Sequence, residues 1–266
     1  MHSAGSSMVE LARKNWPRGV QSYKRGKVLY WQGDPVESLF VIEGGAVKIS
    51  SISTEGRIYA HGILGPGRLL GATDYFLDAI HETTAEVINK SSLWAIPANG
   101  FQRLLDREPV FSTTVMQELA REAKVHLSKA RELSFLDVQQ RLKESLIELA
   151  DVYGLATDEG IELGVNLTHE EMGELINANR STITLCLQEL KKRGYLRTRG
   201  RKIILIPHRH MELLDHLSES VLSGGVGEAA DLAPPLFRAA AAKLSHRALL
   251  AKSGYRRGPF LPLFMA

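Results

Sequence analysis

The chain has 266 residues, 44% of them hydrophobic, and a formal net charge of only +3. This size predicts two domains or one large one, and the apolar content excludes a wholly disordered chain. A single cysteine, Cys186, excludes an internal disulfide and an iron–sulfur cluster and disfavours a cysteine-based zinc site. Since neither a signal-peptide pattern nor a run of ~20 apolar residues is present, we expect a cytoplasmic protein without a membrane span.

The first predicted structure is a β-sandwich or barrel between residues 23 and 96. Residues 1–20 are polar and weakly patterned, and they predict no element. After them, short apolar runs such as 27–31, 38–42 and 46–52 alternate with glycine-containing turns. Short strands at this spacing, separated by such turns, are typical of all-β domains.

A long helix is predicted next, because residues 110–133 contain neither glycine nor proline. Its apolar positions recur at intervals of three and four, which is the pattern of a coiled-coil seam. We interpret it as the dimer interface of a homodimer; the alternative is that the helix packs on its own domain. The predicted seam consists of Met116, Leu119, Ala123, His126, Ala130 and Leu133.

A helix-turn-helix is predicted after a second helix over residues 137–153 and a short extended piece over 163–167. Thr168 and Glu171 have the spacing of a capping box, which opens a helix that runs to about residue 176. Residues 177–179 are Asn-Ala-Asn and suit a tight corner, because asparagine tolerates the left-handed conformation. The next helix covers residues 180–192, and two short helices joined this way form a helix-turn-helix.

The second of these helices has one apolar and one polar face, and the polar face predicts DNA contacts. Ile183, Cys186, Leu187 and Leu190 share the face that we expect in the core, where Cys186 is a small hydrophobic residue rather than a redox sensor. Leu185 on the exposed face is either a contact for a thymine methyl group or an ordinary surface leucine. The predicted DNA-contacting residues are Arg180, Ser181, Thr182, Thr184, Leu185 and Gln188, with Thr168 and His169 from the first helix.

A two-stranded hairpin with a basic tip, a wing, is predicted over residues 195–206. Its tip reads Arg199-Gly200-Arg201 and is followed by Lys202. We expect Arg199, Arg201 and Lys202 to neutralise DNA phosphates, because the cluster directly follows a helix-turn-helix.

Over residues 20–217 the chain resembles the Crp–Fnr superfamily of bacterial transcription regulators. The resemblance rests on residues 135–142 (FLDVQQRL), on the helix-turn-helix at 167–195, and on barrel turns such as 65–67. It implies an α+β fold: an N-terminal cyclic-nucleotide-binding-like β-barrel (jelly roll), a long dimerisation helix and a C-terminal winged helix-turn-helix. The expected domains are residues 1–108, 109–136 and 137–222, followed by a disordered tail at 223–266.

The resemblance also implies a function. The chain would be a sequence-specific DNA-binding transcription regulator, an activator by family habit, and not an enzyme. Its partners would be a second copy of itself, near-palindromic double-stranded DNA and RNA polymerase, with Arg180 as the main base-reading residue. No membrane partner is expected.

An effector pocket is implied by the same resemblance, with residues Gly71, Ala72, Thr83, Thr84, His126 and Leu127. Two departures from the family disfavour cAMP and cGMP. Ala72 replaces a family glutamate, and residues 81–85 contain no arginine to clamp a phosphate. The effector is therefore expected to be something other than a cyclic nucleotide, or none, and the residues assign no cofactor.

Several alternatives remain open at this stage. His126 either fixes the register of the seam, contacts an effector or titrates as a pH switch. His61 and His81 suggest haem ligation as a further interpretation. A cupin-type metal enzyme, or a regulatory barrel that acts without DNA, are the alternative functions. A helix over 211–222, and an additional DNA-contacting arm in the tail, are further hypotheses.

Overall fold

The computed structural model describes residues 4–77 and 79–206, which form two compact units. The first unit contains the chain up to Tyr153 together with Gly164–Glu189; the second contains Gly154–Leu163 and, among described residues, 190–206. Expectations for residues 207–266, including the helix over 211–222 and the tail, lie outside the described residues. None of the described helices is both long enough and apolar enough to cross a membrane.

Eight antiparallel strands of the first unit form a sandwich of two four-stranded sheets. One sheet has the order β1-β8-β3-β6, with β1 (Val20–Tyr23), β8 (Ser91–Pro97), β3 (Ser38–Gly44) and β6 (Leu69–Leu70). The other has the order β2-β7-β4-β5, with β2 (Val28–Tyr30), β7 (Thr84–Val87), β4 (Val47–Ile52) and β5 (Ile58–Leu64). The predicted jelly-roll barrel is confirmed.

The central strand β3 shows how the sandwich is held together. Its side chains alternate between the two faces of the sheet. Leu39 and Val41 pack into one apolar cluster, whereas Phe40 and Ile42 pack into a second cluster that contains side chains from both sheets. All four residues are buried because each face of this strand is covered.

Three helices that sequence analysis did not predict cover part of the first apolar cluster. Helix α1 (Ala4–Asn15) buries Met8 and Ala12 against the barrel at 1% exposure each. The short helices α2 (Ala72–Phe76) and α3 (Ala98–Arg107) follow β6 and β8. Met8 and Ala12 of α1 are therefore part of the core, although sequence analysis predicted no element there.

Helix α4 (Pro109–Phe135) is the predicted long helix, and α5 (Val138–Tyr153) follows it. The first turns of α4 bury Phe111, Val115 and Glu118, so this part packs on its own domain. Proline at its first position suits a helix start, since no backbone N–H is needed there.

Helices α6 (His169–Ile176) and α7 (Arg180–Lys192) form the predicted helix-turn-helix. The second unit is a separate antiparallel sheet of order β11-β12-β10-β9, with β9 (Gly154–Thr157), β10 (Gly160–Leu163), β11 (Leu196–Arg199) and β12 (Lys202–Leu205). The prediction of an extended piece at 163–167 was wrong, because strand β10 ends at Leu163. The register of β10 is fixed by pairing with β9 and β12, which lie outside the segment 163–167.

Candidate DNA interface and effector cavity

Helix α6 begins with the capping box that its sequence predicts. The Thr168 hydroxyl accepts a hydrogen bond from the backbone N–H of Glu171 at 3.1 Å, and the Glu171 carboxylate accepts one from the backbone N–H of Thr168 at 2.6 Å. The helix ends at Asn177, whose φ of 53° is left-handed. Both ends of α6 are therefore specified by local side chains.

The corner between α6 and α7 is set by Gly173, which sequence reasoning missed, and by Asn179 of the predicted turn. A Cβ added to the buried Gly173 would lie 2.4 Å from the carbonyl oxygen of Ala178, so only glycine fits there. The Asn179 side-chain oxygen accepts a hydrogen bond from the backbone N–H of Thr182 at 2.8 Å and caps α7. His169 Nδ1 also lies 2.9 Å from the Thr184 hydroxyl and links the two helices.

Helix α7 separates buried and exposed faces as predicted for most of its residues. Ile183, Leu187 and Leu190 are buried. Cys186 is only half-buried, and burial followed by the nearby Asp137 charge raises the pKa of its thiol. A raised pKa disfavours the thiolate and with it a redox role.

The exposed face of α7 presents one guanidinium, one amide and one large apolar side chain. Arg180 and Gln188 are exposed, and Leu185 is 66% exposed. The hydroxyls are already committed: Ser181 and Thr182 both donate to the Asn179 side-chain oxygen, at 2.7 and 2.8 Å. Likewise the half-buried Thr184 donates to the backbone oxygen of its own helix at 3.0 Å.

The wing is built from β11 and β12, which join through a two-residue turn. Arg199 pairs with Lys202 across the ladder, and Gly200 in the turn has a φ of 62°. Both cations bind the carboxylate of Glu162, whose side chain is only 8% exposed. The hydrogen bond from Lys202 is the main reason that the pKa of Glu162 is lowered. Two of the three predicted phosphate contacts are thus already paired with an acid, whereas Arg201 is exposed.

A cavity of about 240 Å³ opens in the barrel, and three of the six predicted effector residues line it. Gly71, Thr83 and His126 line it. Ala72 does not, because it is buried in the apolar core at 3% exposure. Thr84 does not line it either, and its hydroxyl accepts a hydrogen bond from the Gln32 backbone N–H at 3.0 Å. Leu127 is absent from the lining as well, and 65% of it is exposed.

The charges that line this barrel cavity are acidic. Asp74, Glu82 and Glu122 contribute carboxylates, and no lysine or arginine of the described residues lines the cavity. Asp74 accepts a hydrogen bond in its pairing with His81 at 2.9 Å, and Glu122 accepts one from the Thr73 hydroxyl at 2.8 Å. Because nearby carboxylates repel anions, a phosphate has no favourable partner here.

The barrel histidines have specific neighbours. His61 and His126 both line the cavity, with ring centroids 6.0 Å apart. Burial, followed by the charge of His126, lowers the pKa of His61. His81 is buried and stacks on Tyr30 with ring centroids 3.6 Å apart. Within 4–77 and 79–206, no three His, Cys, Asp or Glu side chains converge as a metal site.

The predicted seam of α4 is largely exposed in the single chain. Met116 is 60% exposed and Leu133 39%, and the His126 side chain is 51% exposed. Ala123 and Ala130 are exposed as well. Leu119 differs, because it packs partly against the barrel-side apolar cluster.

Comparison with known proteins assigns both parts of the chain. The family model of the cyclic nucleotide-binding domain matches residues 20–108, and that of the Crp-like helix-turn-helix domain matches residues 140–211. The chain belongs to the Crp–Fnr superfamily.

Individual Crp–Fnr relatives are distant in sequence. The CRP-like cAMP-activated global transcriptional regulator of Mycobacterium tuberculosis is 25% identical over 183 residues, which are 69% of this chain and 82% of that protein. The global nitrogen regulator of Synechococcus elongatus is 24% identical and covers 73% and 88% of the two chains. The structure of the c-di-GMP-responsive regulator CLP of Xanthomonas campestris has a TM-score of 0.64 at 21% identity and covers 75% and 98%.

As a Crp–Fnr protein, the chain is a transcription regulator with a DNA-binding helix-turn-helix. Helix α7 has the limits that the sequence predicted. Its barrel cavity adds information that sequence alone did not provide, since Asp74 and Glu122 come from two different helices and meet Glu82 in one lining. Glu162, the acid under the wing, also had no sequence signal, because its partners lie about 40 residues away.

Proposed function

We propose that this Crp–Fnr regulator is a cytoplasmic homodimer that binds a near-palindromic DNA site through α7 and activates transcription through contact with RNA polymerase. The observation that carries the DNA part is the exposed face of α7, where Arg180 stands at the first helical position. In a helix-turn-helix, the N-terminal residues of the second helix meet base edges in the major groove. Arginine binds guanine through two hydrogen bonds there.

The roles of the other predicted DNA contacts follow from their exposure and from their hydrogen-bond and ion-pair partners within the protein. Leu185 and Gln188 remain available to bases, because both side chains are exposed. The hydroxyls of Ser181, Thr182 and Thr184 donate hydrogen bonds that hold the start of α7. Their contacts with phosphate are therefore secondary to this structural role. Thr168 and His169 support α6. Among the wing cations, Arg201 contacts phosphate directly, whereas Arg199 and Lys202 exchange Glu162 for phosphate.

Dimerisation is proposed through the α4 seam. Exposed apolar side chains at three- and four-residue intervals would be buried by a second copy of the same helix. A two-fold dimer places two α7 helices on half-sites about one helical turn apart. The proposed domains keep their sequence-based limits, with residues 1–108 as sensor, 109–136 as dimerisation helix, 137–222 as DNA-binding domain and 223–266 as tail.

The barrel cavity is proposed to take an effector that is neither a cyclic nucleotide nor haem, and the protein acts by binding rather than catalysis. An anionic phosphate would face Asp74, Glu82 and Glu122 without a cationic partner. Haem would need an axial histidine, yet His61 is hydrogen-bonded to Ser51 at 2.9 Å and His81 is held by Asp74 and Tyr30. A neutral or positively charged small molecule suits this lining.

The test of DNA recognition is selection of random-sequence duplexes on the purified full-length protein, followed by binding of Arg180→Ala to the enriched site. We expect a near-palindrome and a loss of affinity of about 5- to 100-fold for Arg180→Ala, with non-specific binding little changed. Arg107→Ala, which removes an exposed arginine of α3, is the matched control and should bind like the wild type. Unchanged affinity of Arg180→Ala would show that Arg180 does not read the site, whereas the absence of any enriched sequence would support a regulatory barrel that acts without DNA.

The effector proposal is tested by calorimetric titration of cAMP and cGMP into the same protein. We expect no saturable heat from either nucleotide. Saturable binding of either nucleotide to the wild type, with loss of binding in Thr83→Phe, would overturn the proposal that the barrel cavity does not bind cyclic nucleotides.

A further inference from the structure

An acid lies beneath two of the cations of the wing. Glu162 on β10 is paired with Ile204 in the strand ladder, and Lys202 lies two residues before Ile204 on β12. Because side chains two residues apart share a face of a sheet, Glu162 and Lys202 are diagonal neighbours on one face. The Glu162 side chain is 8% exposed, whereas those of Arg199 and Lys202 are 65% and 50% exposed. The cations therefore cover the carboxylate and remain open to a partner outside the sheet.

Both oxygens of the Glu162 carboxylate are occupied by these cations. Lys202 Nζ lies 2.5 Å from Oε1, and an Arg199 guanidinium nitrogen lies 3.2 Å from Oε2. Arg199 and Lys202 are opposite each other in the β11–β12 ladder, where two like charges would otherwise repel. Hydrogen bonds between charged groups are stronger than those between neutral groups. Glu162 therefore binds the two cations in the way that the oxygens of a DNA phosphate would.

A DNA phosphate has to replace Glu162 before it gains these two cations. The replacement leaves a nearly buried carboxylate without its partners, and an uncompensated buried charge is costly. On non-specific DNA, α7 makes no base contacts that would offset this cost. Arg201 in the same turn is exposed and is not one of the cations bound to Glu162. The wing cations therefore carry equal charges but differ in their availability to DNA.

We propose that Glu162 is an internal competitor of the DNA backbone, which keeps Arg199 and Lys202 from binding the phosphates of non-specific DNA. The inference rests on the proposed DNA function and makes Glu162 a positioning residue that acts through the two cations. At the target site, base contacts by α7 supply the free energy for the exchange. Glu162 thus lowers the amount of regulator held on non-specific sites, which greatly outnumber the target site in a genome.

The first test measures binding of the purified full-length protein to a scrambled duplex over a series of salt concentrations. Each phosphate contact adds about 0.9 to the slope of the logarithm of the association constant against the logarithm of salt concentration. Glu162→Gln removes the charge and keeps the shape, so we expect tighter binding and a slope steeper by about 1 to 2. Glu159→Gln is the matched control: it removes an equal charge at an exposed position 4.0 Å from Arg199 and should keep the wild-type slope.

Binding to the site enriched from random-sequence DNA separates this inference from the proposed function. Glu162→Gln should bind that site more tightly as well, but with the wild-type salt slope, since the exchange already takes place there. Suppose that the wild type selects a site while folded Glu162→Gln keeps the wild-type slope on scrambled DNA, or binds it more weakly. Either result overturns the competitor role alone. A selection that enriches no site would overturn the proposed DNA function and this inference with it.

A second pair of variants keeps the proposal testable if Glu162→Gln does not fold. Lys202→Gln and Arg201→Gln each remove one cation of the wing. On the scrambled duplex, Arg201→Gln should make the salt slope shallower by about 1. Lys202→Gln should leave the slope unchanged, because Glu162 already occupies this lysine. Equal losses of slope in the two variants would show that both cations contact non-specific phosphates and would overturn the proposal.

Discussion

At the residue scale, His61 shows how a common side chain acquires an unusual property from its surroundings. It lies on β5, donates to or accepts from the Ser51 hydroxyl at 2.9 Å, and faces the ring of His126. Burial and the charge of His126 lower its pKa below the ordinary value of 6.5. The folded protein therefore holds His61 neutral at a pH where the unfolded chain would already protonate it.

This lowered pKa predicts an acid-dependent loss of stability. Above pH 6.5 both states leave His61 neutral, and it adds no pH dependence. Below pH 6.5 the unfolded state binds the extra proton, so the free energy of unfolding falls with pH until the folded-state pKa is passed. His61→Gln should lose this part of the slope in urea denaturation series between about pH 5 and 8. Parallel curves for the two proteins would contradict the prediction.

At the element scale, the α6–α7 corner is set by residues that cannot be exchanged freely. Gly173 on α6 is buried and touches the backbone of Ala178, and the backbone N–H of Ala178 donates to the Gly173 carbonyl at 2.9 Å. Asn177 supplies the left-handed residue between them. The angle between the two helices therefore depends on a close backbone contact.

Gly173→Ala should consequently destabilise the protein, because its methyl group would overlap the Ala178 carbonyl. We expect a loss of about 1–3 kcal/mol in the free energy of unfolding, and weaker DNA binding since α7 must shift. Glu170→Ala, an exposed position on the same helix, should change stability by less than about 0.5 kcal/mol. Thermal or urea unfolding of both variants checks this; equal stability of Gly173→Ala and wild type would show that the corner relaxes.

Elements with local signals were predicted from sequence, and those that depend on distant partners were not. The capping box of α6 and the asparagine corner are written within a few residues, so the helix-turn-helix was found with its limits. Helix α1 was missed because Met8 and Ala12 are revealed as core only by the barrel that covers them. The acidic lining of the barrel cavity and the pairing of Glu162 were missed for the same reason.

At the scale of the whole molecule, ion pairs join the barrel to the first helix of the helix-turn-helix. Lys48 on β4 binds Glu174 on α6 at 2.9 Å and Glu86 on β7 at 3.4 Å. The side chains of Lys48 and Glu174 are only 8% and 13% exposed. Burial alone would lower the pKa of Lys48, but the bonds to the two glutamates prevail and raise it. The lysine thus remains charged in a largely desolvated place.

Removing this lysine should be costly. Lys48→Met leaves Glu174 nearly buried without its partner, and we expect a loss on the order of 3 kcal/mol in the free energy of unfolding. The double variant Lys48→Met, Glu174→Leu should recover much of that loss, because no charge is then left unpaired. Arg57→Met is the control: its pair with Glu55 is exposed, so we expect less than about 1 kcal/mol. If Lys48→Met and Arg57→Met lower the free energy of unfolding by the same amount, the buried pair does not stabilise the fold.

Arg25 has a consequence for protein engineering. It donates to the backbone oxygens of Ile88 and Asn166 and to the carboxylate of Glu171, which is also the acid of the α6 capping box. One carboxylate therefore serves both the start of a helix and its attachment to the barrel. A chimaera that joins the DNA-reading segment of one relative to the sensor of another assumes that the two segments fold independently. A graft of this DNA-reading segment must therefore be matched by an arginine at the position of Arg25 in the recipient sensor, because otherwise Glu171 in the first turn of α6 loses its hydrogen bond to the barrel.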